Sequence, residues 1–262
     1  MIRSDIRAYI NIGALALVLL FNFLSNAIPF NNMTQEDLAA EYPVLITPAA
    51  YAFSIWGLIY LALIAFIIYQ ALPQYRENPA VKAVGILFAV SSIFNIAWLF
   101  VWHYQRIGWS LVIILLLLAT LVVIYLRLGA VTAEKNIFDR ILVKYPFSLY
   151  LGWISAASIV NFNAWLYSID WLGTGTGAVF FTMLMAIIAA LIALAVFYLR
   201  QDYIYAAVFV WALVGIGVRH GTAIPFLTVV SWLAAAGIIF FLGWIAARKG
   251  ELPFLQKKMT GG

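Results

Sequence analysis

The chain has 262 residues, of which 66% are hydrophobic and only 10% are charged. Its mean hydropathy is +1.03, whereas a soluble domain is about 45–50% apolar and about 25% charged. This composition excludes a soluble enzyme, a disordered chain and a disulfide-rich secreted domain, the last also because there is no cysteine. The net charge of +5 does not indicate a nucleic-acid partner, because the basic residues lie between apolar runs.

Eight apolar runs follow one another along the chain, most of them close to the roughly 20 residues that a helix needs to cross a bilayer. Backbone polar groups in hydrocarbon must be satisfied internally, so the runs predict helices and an all-α polytopic membrane bundle. The seventh run is short, which predicts little tilt or a close approach of a neighbour at Gly215 and Gly217. The predicted spans are about residues 8–28, 49–72, 84–102, 109–128, 145–167, 177–199, 203–218 and 224–246.

Lysine and arginine are distributed unevenly between the segments that join these runs. With the N-terminus inside, 13 of the 15 basic residues lie on the inner side, and only Arg106 and Arg219 lie outside. Cytoplasmic segments of membrane proteins carry such an excess. We therefore expect eight spans with both termini inside, in a bacterial cytoplasmic membrane.

Apart from Arg127, the second-last residue of the fourth span, the predicted spans contain no acidic residue, lysine or arginine. Ion-coupled transporters usually need such groups at mid-membrane, and hydrolases need a carboxylate pair or a Ser-His-Asp set. The two histidines, His103 and His220, lie near the outer surface, where packing is a simpler explanation than haem ligation. The sequence therefore predicts no catalytic and no metal-binding residue, and it disfavours an enzyme without excluding one.

Aromatic and amide side chains recur at helical spacing in three of the first five runs. In the second run Phe53, Trp56 and Tyr60 share a face, because they are three and four residues apart. One such face is explained by helix packing, since buried amides hydrogen-bond across helices, but three faces favour a mostly apolar ligand cavity. The predicted ligand-binding residues are Asn22, Phe53, Trp56, Tyr60, Asn95, Trp98, Tyr150, Trp153, Ala157 and Asn161, with Arg106 at the outer mouth.

The first outer loop, residues 29–47, is long and carries three acidic residues but no basic one. Thr34 followed by Asp37 is a capping-box pattern, which predicts a short helix over residues 35–41. The loop is either a hydrated connector or a lid over the bundle. Arg106 either pairs with the acidic residues of this loop or holds a ligand carboxylate, for which its planar guanidinium is well suited.

Three sequence blocks resemble the tryptophan-rich sensory protein / translocator protein family (TspO, peripheral-type benzodiazepine receptor-like). They are TPAAYAFSIWGLIY at residues 47–60, FNIAW at 94–98, and PFSLYLGWISAA at 146–157, continuing to Asn161. The resemblance covers residues 8–168, so we expect a five-helix unit over residues 1–168 and three further helices over 169–262. Ser54 and Gly57 depart from the pattern of other members.

By this resemblance, the first five helices form a bundle whose first outer loop covers a pocket for tetrapyrroles, sterols or benzodiazepine-like ligands. No cofactor is required, and a porphyrin or haem is the expected ligand beside the lipid bilayer. Members are often homodimers, although the three further helices could replace the dimer interface. The expected function is a sensor or receptor for a hydrophobic planar ligand; the alternatives are a permease for a hydrophobic metabolite and, less favoured, a tetrapyrrole-modifying enzyme.

Overall fold

The computed structural model describes residues 3–28, 30–33, 37–38, 41–131 and 136–249. Over these ranges the chain is helical and contains no strand, which confirms the predicted all-α class. Eight long helices coincide with the eight predicted runs. They are α1 (Ser4–Ala27), α2 (Ile55–Ala71), α3 (Leu87–His103), α4 (Ile107–Val131), α5 (Tyr145–Ser168), α6 (Thr176–Arg200), α7 (Tyr203–His220) and α8 (Pro225–Arg248).

Short helical turns occupy several of the connections between these helices. A 3-10 turn at Ala50–Ser54 precedes α2, so the regular helix begins later than the sequence predicts. In the outer loop Asp37 and Leu38 are helical, whereas Thr34 of the predicted capping box lies outside the described residues. The other short segments are Phe30–Asn32, Pro73–Tyr75, Pro79–Val84, Ile137–Asp139 and a π-helical turn at Arg140–Lys144.

Six of the eight long helices are long and apolar enough to cross a membrane, and the other two are α3 and α5. The α3 helix is apolar but has only 17 residues. The α5 helix has 24 residues, of which 14 are buried, including serine, asparagine, tyrosine and tryptophan side chains. These polar groups lower its hydropathy, and they are tolerated because neighbouring helices surround them.

The first five helices close into a ring. In this ring α1 packs on α2 and α3, α2 packs on α5, α5 packs on α4, and α4 packs on α3. The three C-terminal helices form a second group, in which α6, α7 and α8 all contact one another. This second group joins the ring mainly through α7, which packs against α5 and against the Ala50–Ser54 turn.

Glycines allow α7 to approach its neighbours closely. A Cβ atom on Gly215 would lie 2.9 Å from the Pro48 Cβ and 3.2 Å from the Ala52 Cβ. A Cβ atom on Gly217 would overlap the indole ring of Trp232 in α8. The close approach that the sequence predicts at Gly215 and Gly217 is therefore present.

A buried carboxylate holds α7 to the ring at the opposite end. Asp202 precedes α7 and is only 3% exposed. Its Oδ2 accepts hydrogen bonds from the hydroxyls of Tyr125 at 2.9 Å and Ser148 at 2.6 Å. Its Oδ1 accepts from the backbone N–H of Tyr205 at 3.0 Å. Asp202 thus lies outside the helices, as expected, but it is buried where α4, α5 and α7 meet.

Candidate ligand-binding site

Five of the predicted residues form an aromatic cluster where α2 and the 3-10 turn before it face α5. Trp56 stacks on Tyr60 of the same helix with ring centroids 5.5 Å apart. Across the helix boundary, Trp56 lies 6.1 Å from Tyr150 and 6.4 Å from Trp153. Phe53 meets Trp153 edge to face at 5.8 Å. The two helical stripes that the sequence spacing predicts therefore face each other.

A chain of amide and phenol groups connects this aromatic cluster to α1 and α3. Asn95, which is 2% exposed, donates from Nδ2 to the Tyr150 hydroxyl at 3.1 Å. The Oδ1 of Asn95 accepts from Nδ2 of Asn22 at 3.1 Å. Burying a polar group without a hydrogen bond is costly, so these pairings fix how α1, α3 and α5 face one another. Three predicted residues from three helices are thus brought together.

Two tryptophans of the bundle have a buried indole N–H for which the described residues provide no acceptor. These are Trp98 and Trp153. Trp153 is only 3% exposed as a whole residue, and its ring contacts Phe53 and Trp56. A buried donor without a partner costs about 1–3 kcal/mol. An acceptor atom on a bound molecule would remove that cost at Trp153.

The described residues of the loop between α1 and α2 pack on the end of the ring at which α3 ends. Leu38 is fully buried in a small apolar cluster that includes Trp102 at the end of α3. The ring of Tyr42 lies 5.9 Å from that of Trp102. Burial, and to a lesser extent the charge of Glu41, raises the pKa of the Tyr42 phenol above its ordinary value. Because Trp102 stacks on Trp98 at 5.9 Å, the loop contacts are continuous with the tryptophans of the bundle.

The remaining predicted residues lie around this interior. Asn161 accepts a hydrogen bond from the Ser110 hydroxyl of α4 at 3.1 Å, so its described partner belongs to α4 and not to the aromatic cluster. Ala157 is half-buried on α5, and Arg106 is exposed directly before α4. Their contact with a ligand stays a prediction.

Residues of α7 hold the segment that leads from the outer loop into α2, residues 44–54, which ends in the 3-10 turn Ala50–Ser54 and which we term the return segment. Backbone polar groups that are buried outside a regular α-helix need hydrogen-bond partners elsewhere in the protein. The α7 helix satisfies several of them. The hydrogen bonds run from Trp211 Nε1 to the Ala52 carbonyl (2.9 Å), from Arg219 to the Thr47 carbonyl (3.0 Å), from His220 Nε2 to the Leu45 carbonyl (2.7 Å) and from the Ala49 N–H to the Gly215 carbonyl (3.0 Å).

Sequence reasoning assigned no role in the site to this face of α7. The sequence nevertheless indicates this face, because Trp211, Gly215 and Arg219 are four residues apart and therefore lie on one side of a helix. The spacing does not show which residues this face of α7 contacts. The return segment lies more than 150 residues earlier in the chain.

A second buried amide pair was also missed. Asn11 of α1 and Gln70 of α2 are 0% and 1% exposed. The Nδ2 of Asn11 donates to Gln70 Oε1 and to the Gly85 carbonyl, both at 3.0 Å. Asn11 precedes Asn22 by eleven residues, which is close to three helical turns. The face that Asn22 indicates on α1 therefore extends to Asn11.

The interior of the ring combines apolar and polar side chains. It is lined by aromatic rings, with a few amide, phenol and indole groups at defined positions, as is typical of small-molecule pockets. Over the part of the chain that the structure describes, no group of three His, Cys, Asp or Glu side chains could hold a metal ion.

A ring of apolar helices around an aromatic and amide interior defines a polytopic helical membrane protein. The chain belongs to the TSPO-like family: the family model described as TSPO-like protein matches residues 8–246. This match confirms the resemblance seen in the three sequence blocks, and it extends through α8, so it includes the three C-terminal helices. No curated protein and no solved structure matched the chain.

Proposed function

We propose that this protein is a membrane sensor or receptor that binds a hydrophobic planar molecule, such as a porphyrin or haem, among α1–α5. In this proposal the outer loop is the lid of the pocket. Trp153 carries the proposal, because its buried N–H has no acceptor among the described residues and its ring contacts Phe53 and Trp56. A tetrapyrrole offers a flat face to these rings and polar atoms to the donor.

Tryptophan fluorescence provides the binding test. Detergent-purified protein is titrated with protoporphyrin, with correction for absorbance at both wavelengths. We expect Trp153→Ala to weaken binding about tenfold, which corresponds to about 1.4 kcal/mol. Trp244→Ala is the matched control, because Trp244 is 41% exposed on α8 and Arg248 covers its ring. Equal losses in both variants would contradict the proposed site.

The same titration is paired with two assays that separate binding from other functions. A sensor binds saturably without transport or turnover. Saturable flux of porphyrin into proteoliposomes would instead indicate a permease, and a new absorbing product that disappears in Trp153→Ala would indicate an enzyme. Either result would overturn the sensor proposal.

The proposal also includes eight membrane spans with both termini in the cytoplasm of a bacterial cell. Contacts between helix ends support it. The Tyr69 hydroxyl near the end of α2 donates to Asp139, just before α5, at 2.8 Å. At the other end, Asn31 after α1 donates to the carbonyl of His103, which ends α3, at 3.2 Å. The start of α5 thus lies beside the end of α2, and the end of α3 lies beside the end of α1, as expected if α3 and α5 also span the bilayer.

Reporter fusions test this topology. We expect an external signal for a fusion at residue 40 and a cytoplasmic signal for a fusion at the C-terminus, because 13 of the 15 basic residues then lie inside. A cytoplasmic signal at residue 40, or an external one at the C-terminus, would reject the eight-span arrangement.

Two further features stay predictions within this proposal. One is the boundary between a five-helix unit (residues 1–168) and a C-terminal unit (residues 169–262), and the other is a homodimer. The C-terminal helices cover one side of α5, so a dimer would use another face of the ring. Light scattering of the detergent-solubilised protein measures the mass that decides between monomer and dimer.

A further inference from the structure

A groove of about 510 Å³ lies where α7 meets α2 and α5. Its walls include Leu58 and Ala62 of α2, Tyr145 and Leu149 of α5, and Ala207 and Trp211 of α7. None of its lining residues belongs to the aromatic cluster described above. The groove is therefore a separate site, on the boundary between the five-helix ring and the C-terminal helices.

The packing of α7 explains why this groove exists. The α7 helix first follows α5, at Tyr205 and Val208, and then contacts the Ala50–Ser54 turn at Trp211. It does not pack along α2, so a gap opens between α2 and α7. The gap has a closed floor, because a Cβ atom on Gly152 of α5 would lie only 3.0 Å from the Val208 Cβ of α7. Its walls are accessible, since Leu58 is 57% exposed and Ala207 is also exposed.

The groove is shorter than the hydrocarbon thickness of one bilayer leaflet. Trp211 lies seven residues after Ile204, and both residues line the groove. Seven residues of α-helix rise about 10 Å, against about 30 Å for the whole hydrocarbon core. An acyl chain from a single leaflet matches this length and the apolar walls.

One end of the groove carries positive charge. Arg140 donates from Nη2 to the hydroxyl of the groove-lining Tyr145 at 3.1 Å. Its guanidinium also lies over the Tyr145 ring, 5.9 Å from the centroid. The Arg140 side chain is exposed, and Lys144 is half-buried one turn further along. At the other end, the Trp211 indole donates to the Ala52 carbonyl.

We propose that the groove holds an acyl chain of an anionic phospholipid whose phosphate pairs with Arg140. An arginine guanidinium can donate two parallel hydrogen bonds to a phosphate. Basic pockets between membrane helices on the cytoplasmic side bind anionic headgroups, and the assignment of Arg140 to that side rests on the topology proposed above. The bound lipid then contacts both helix groups and stabilises their association.

Native mass spectrometry tests the headgroup preference. Detergent-purified protein is incubated with equal amounts of dioleoyl phosphatidylglycerol and dioleoyl phosphatidylcholine, and the retained lipid is counted. We expect about one phosphatidylglycerol per chain and several-fold less phosphatidylcholine. Arg140→Gln removes this preference, whereas Arg127→Gln keeps it, because Arg127 is exposed on α4 away from the groove.

Two groove-filling variants test the location. We expect Ala207→Phe on one wall and Leu58→Trp on the other each to lower lipid retention at least threefold. Ala195→Phe, which adds the same ring to an exposed position of α6, leaves retention unchanged. All variants are compared after size-exclusion chromatography confirms the wild-type elution profile. Equal retention of both lipids, or retention unaffected by Arg140→Gln or by both groove variants, overturns the proposal.

A failed lipid test and a failed receptor proposal are distinguishable. The lipid proposal concerns the outside of the α2–α5–α7 contact, and protoporphyrin quenching reports the interior of the ring. Loss of lipid binding in Ala207→Phe with unchanged porphyrin binding supports the separate site. Competition of protoporphyrin with phosphatidylglycerol for the same protein would contradict it.

Discussion

The α5 and α6 helices have nearly the same length, 24 and 25 residues, but they bury different side chains. The α5 helix buries tyrosine, tryptophan, asparagine and serine, and it lies between α2, α4 and α7. The α6 helix buries mainly alanine, at positions 178, 186, 189, 190 and 193. Small residues let membrane helices approach closely, whereas aromatic rings and amides leave donors and acceptors inside the protein.

This difference separates the two parts of the molecule. In the five-helix ring the described interior contains unpaired indole groups at Trp98 and Trp153 beside the hydrogen-bonded amides. In the C-terminal group α7 and α8 pack closely at Gly217, and the buried Ser231 hydroxyl has no partner among the described residues. The α7 helix also bonds to the return segment of the ring. The ring thus buries more aromatic and amide side chains than the C-terminal helices, which is the difference on which the proposed binding site depends. Four groups of substitutions test this comparison.

The largest effect is expected at the buried carboxylate that joins the two parts. Asp202→Ala leaves the hydroxyls of Tyr125 and Ser148 and the N–H of Tyr205 without their acceptor. Each buried unpaired group costs about 1–3 kcal/mol. We therefore expect the free energy of unfolding to fall by at least about 3 kcal/mol. Thermal unfolding in detergent, followed by circular dichroism, measures it.

Glu77→Ala is the control for Asp202. Glu77 is exposed, and its partner Lys82 is exposed too. We therefore expect Glu77→Ala to lower the free energy of unfolding by less than about 1 kcal/mol. Asp202→Asn keeps one side-chain oxygen and should recover part of the loss. A similar melting temperature for Asp202→Ala and Glu77→Ala would mean that the C-terminal helices are not anchored there.

Two glycine substitutions are expected to have opposite signs. Gly215→Ala places a methyl group against the ring of Pro48, and such overpacking costs about 1–3 kcal/mol. Gly237→Ala in α8 meets nothing within 4 Å, and alanine stabilises a helix interior by about 1 kcal/mol relative to glycine. Thermal unfolding of both variants checks the prediction, and a stabilised Gly215→Ala would show that α7 does not press on the return segment.

A smaller effect is expected inside the ring. Tyr150→Phe removes the acceptor of the Asn95 amide while keeping the aromatic contact with Trp56, so we expect a loss of about 1 kcal/mol in stability. We also expect weaker protoporphyrin quenching, because the orientation of α5 is less well fixed. Tyr198→Phe on the exposed face of α6 is the control, and the two variants should differ in both measurements.

The smallest effect is expected at Arg106, outside the ring. Because this residue is exposed, Arg106→Gln should change stability by less than about 1 kcal/mol. If Arg106 holds a ligand carboxylate, the variant weakens binding of protoporphyrin but hardly affects its dimethyl ester. Equal losses for acid and ester in the quenching titration would assign Arg106 to the outer loop or to folding.

The sequence by itself determined which segments are helices and which faces of them are polar. Apolar runs and helical spacing are local properties, so the eight helices and the stripe of Phe53, Trp56 and Tyr60 could be predicted from neighbouring residues. The eleven-residue spacing of Asn11 and Asn22 was equally accessible. For the same reason, the family resemblance could be seen in three short blocks.

Only the tertiary structure decided which faces meet. Trp211, Gly215 and Arg219 form a visible stripe, but hydrogen-bond partners in the return segment are far away in the sequence. Asp202 has the sequence context of a helix cap, yet its burial depends on Tyr125 and Ser148 from other helices. Lipid tails are as apolar as the helix surfaces, so the hydrophobic effect does not drive helices together within a membrane. Their association depends instead on close packing and hydrogen bonds between distant residues.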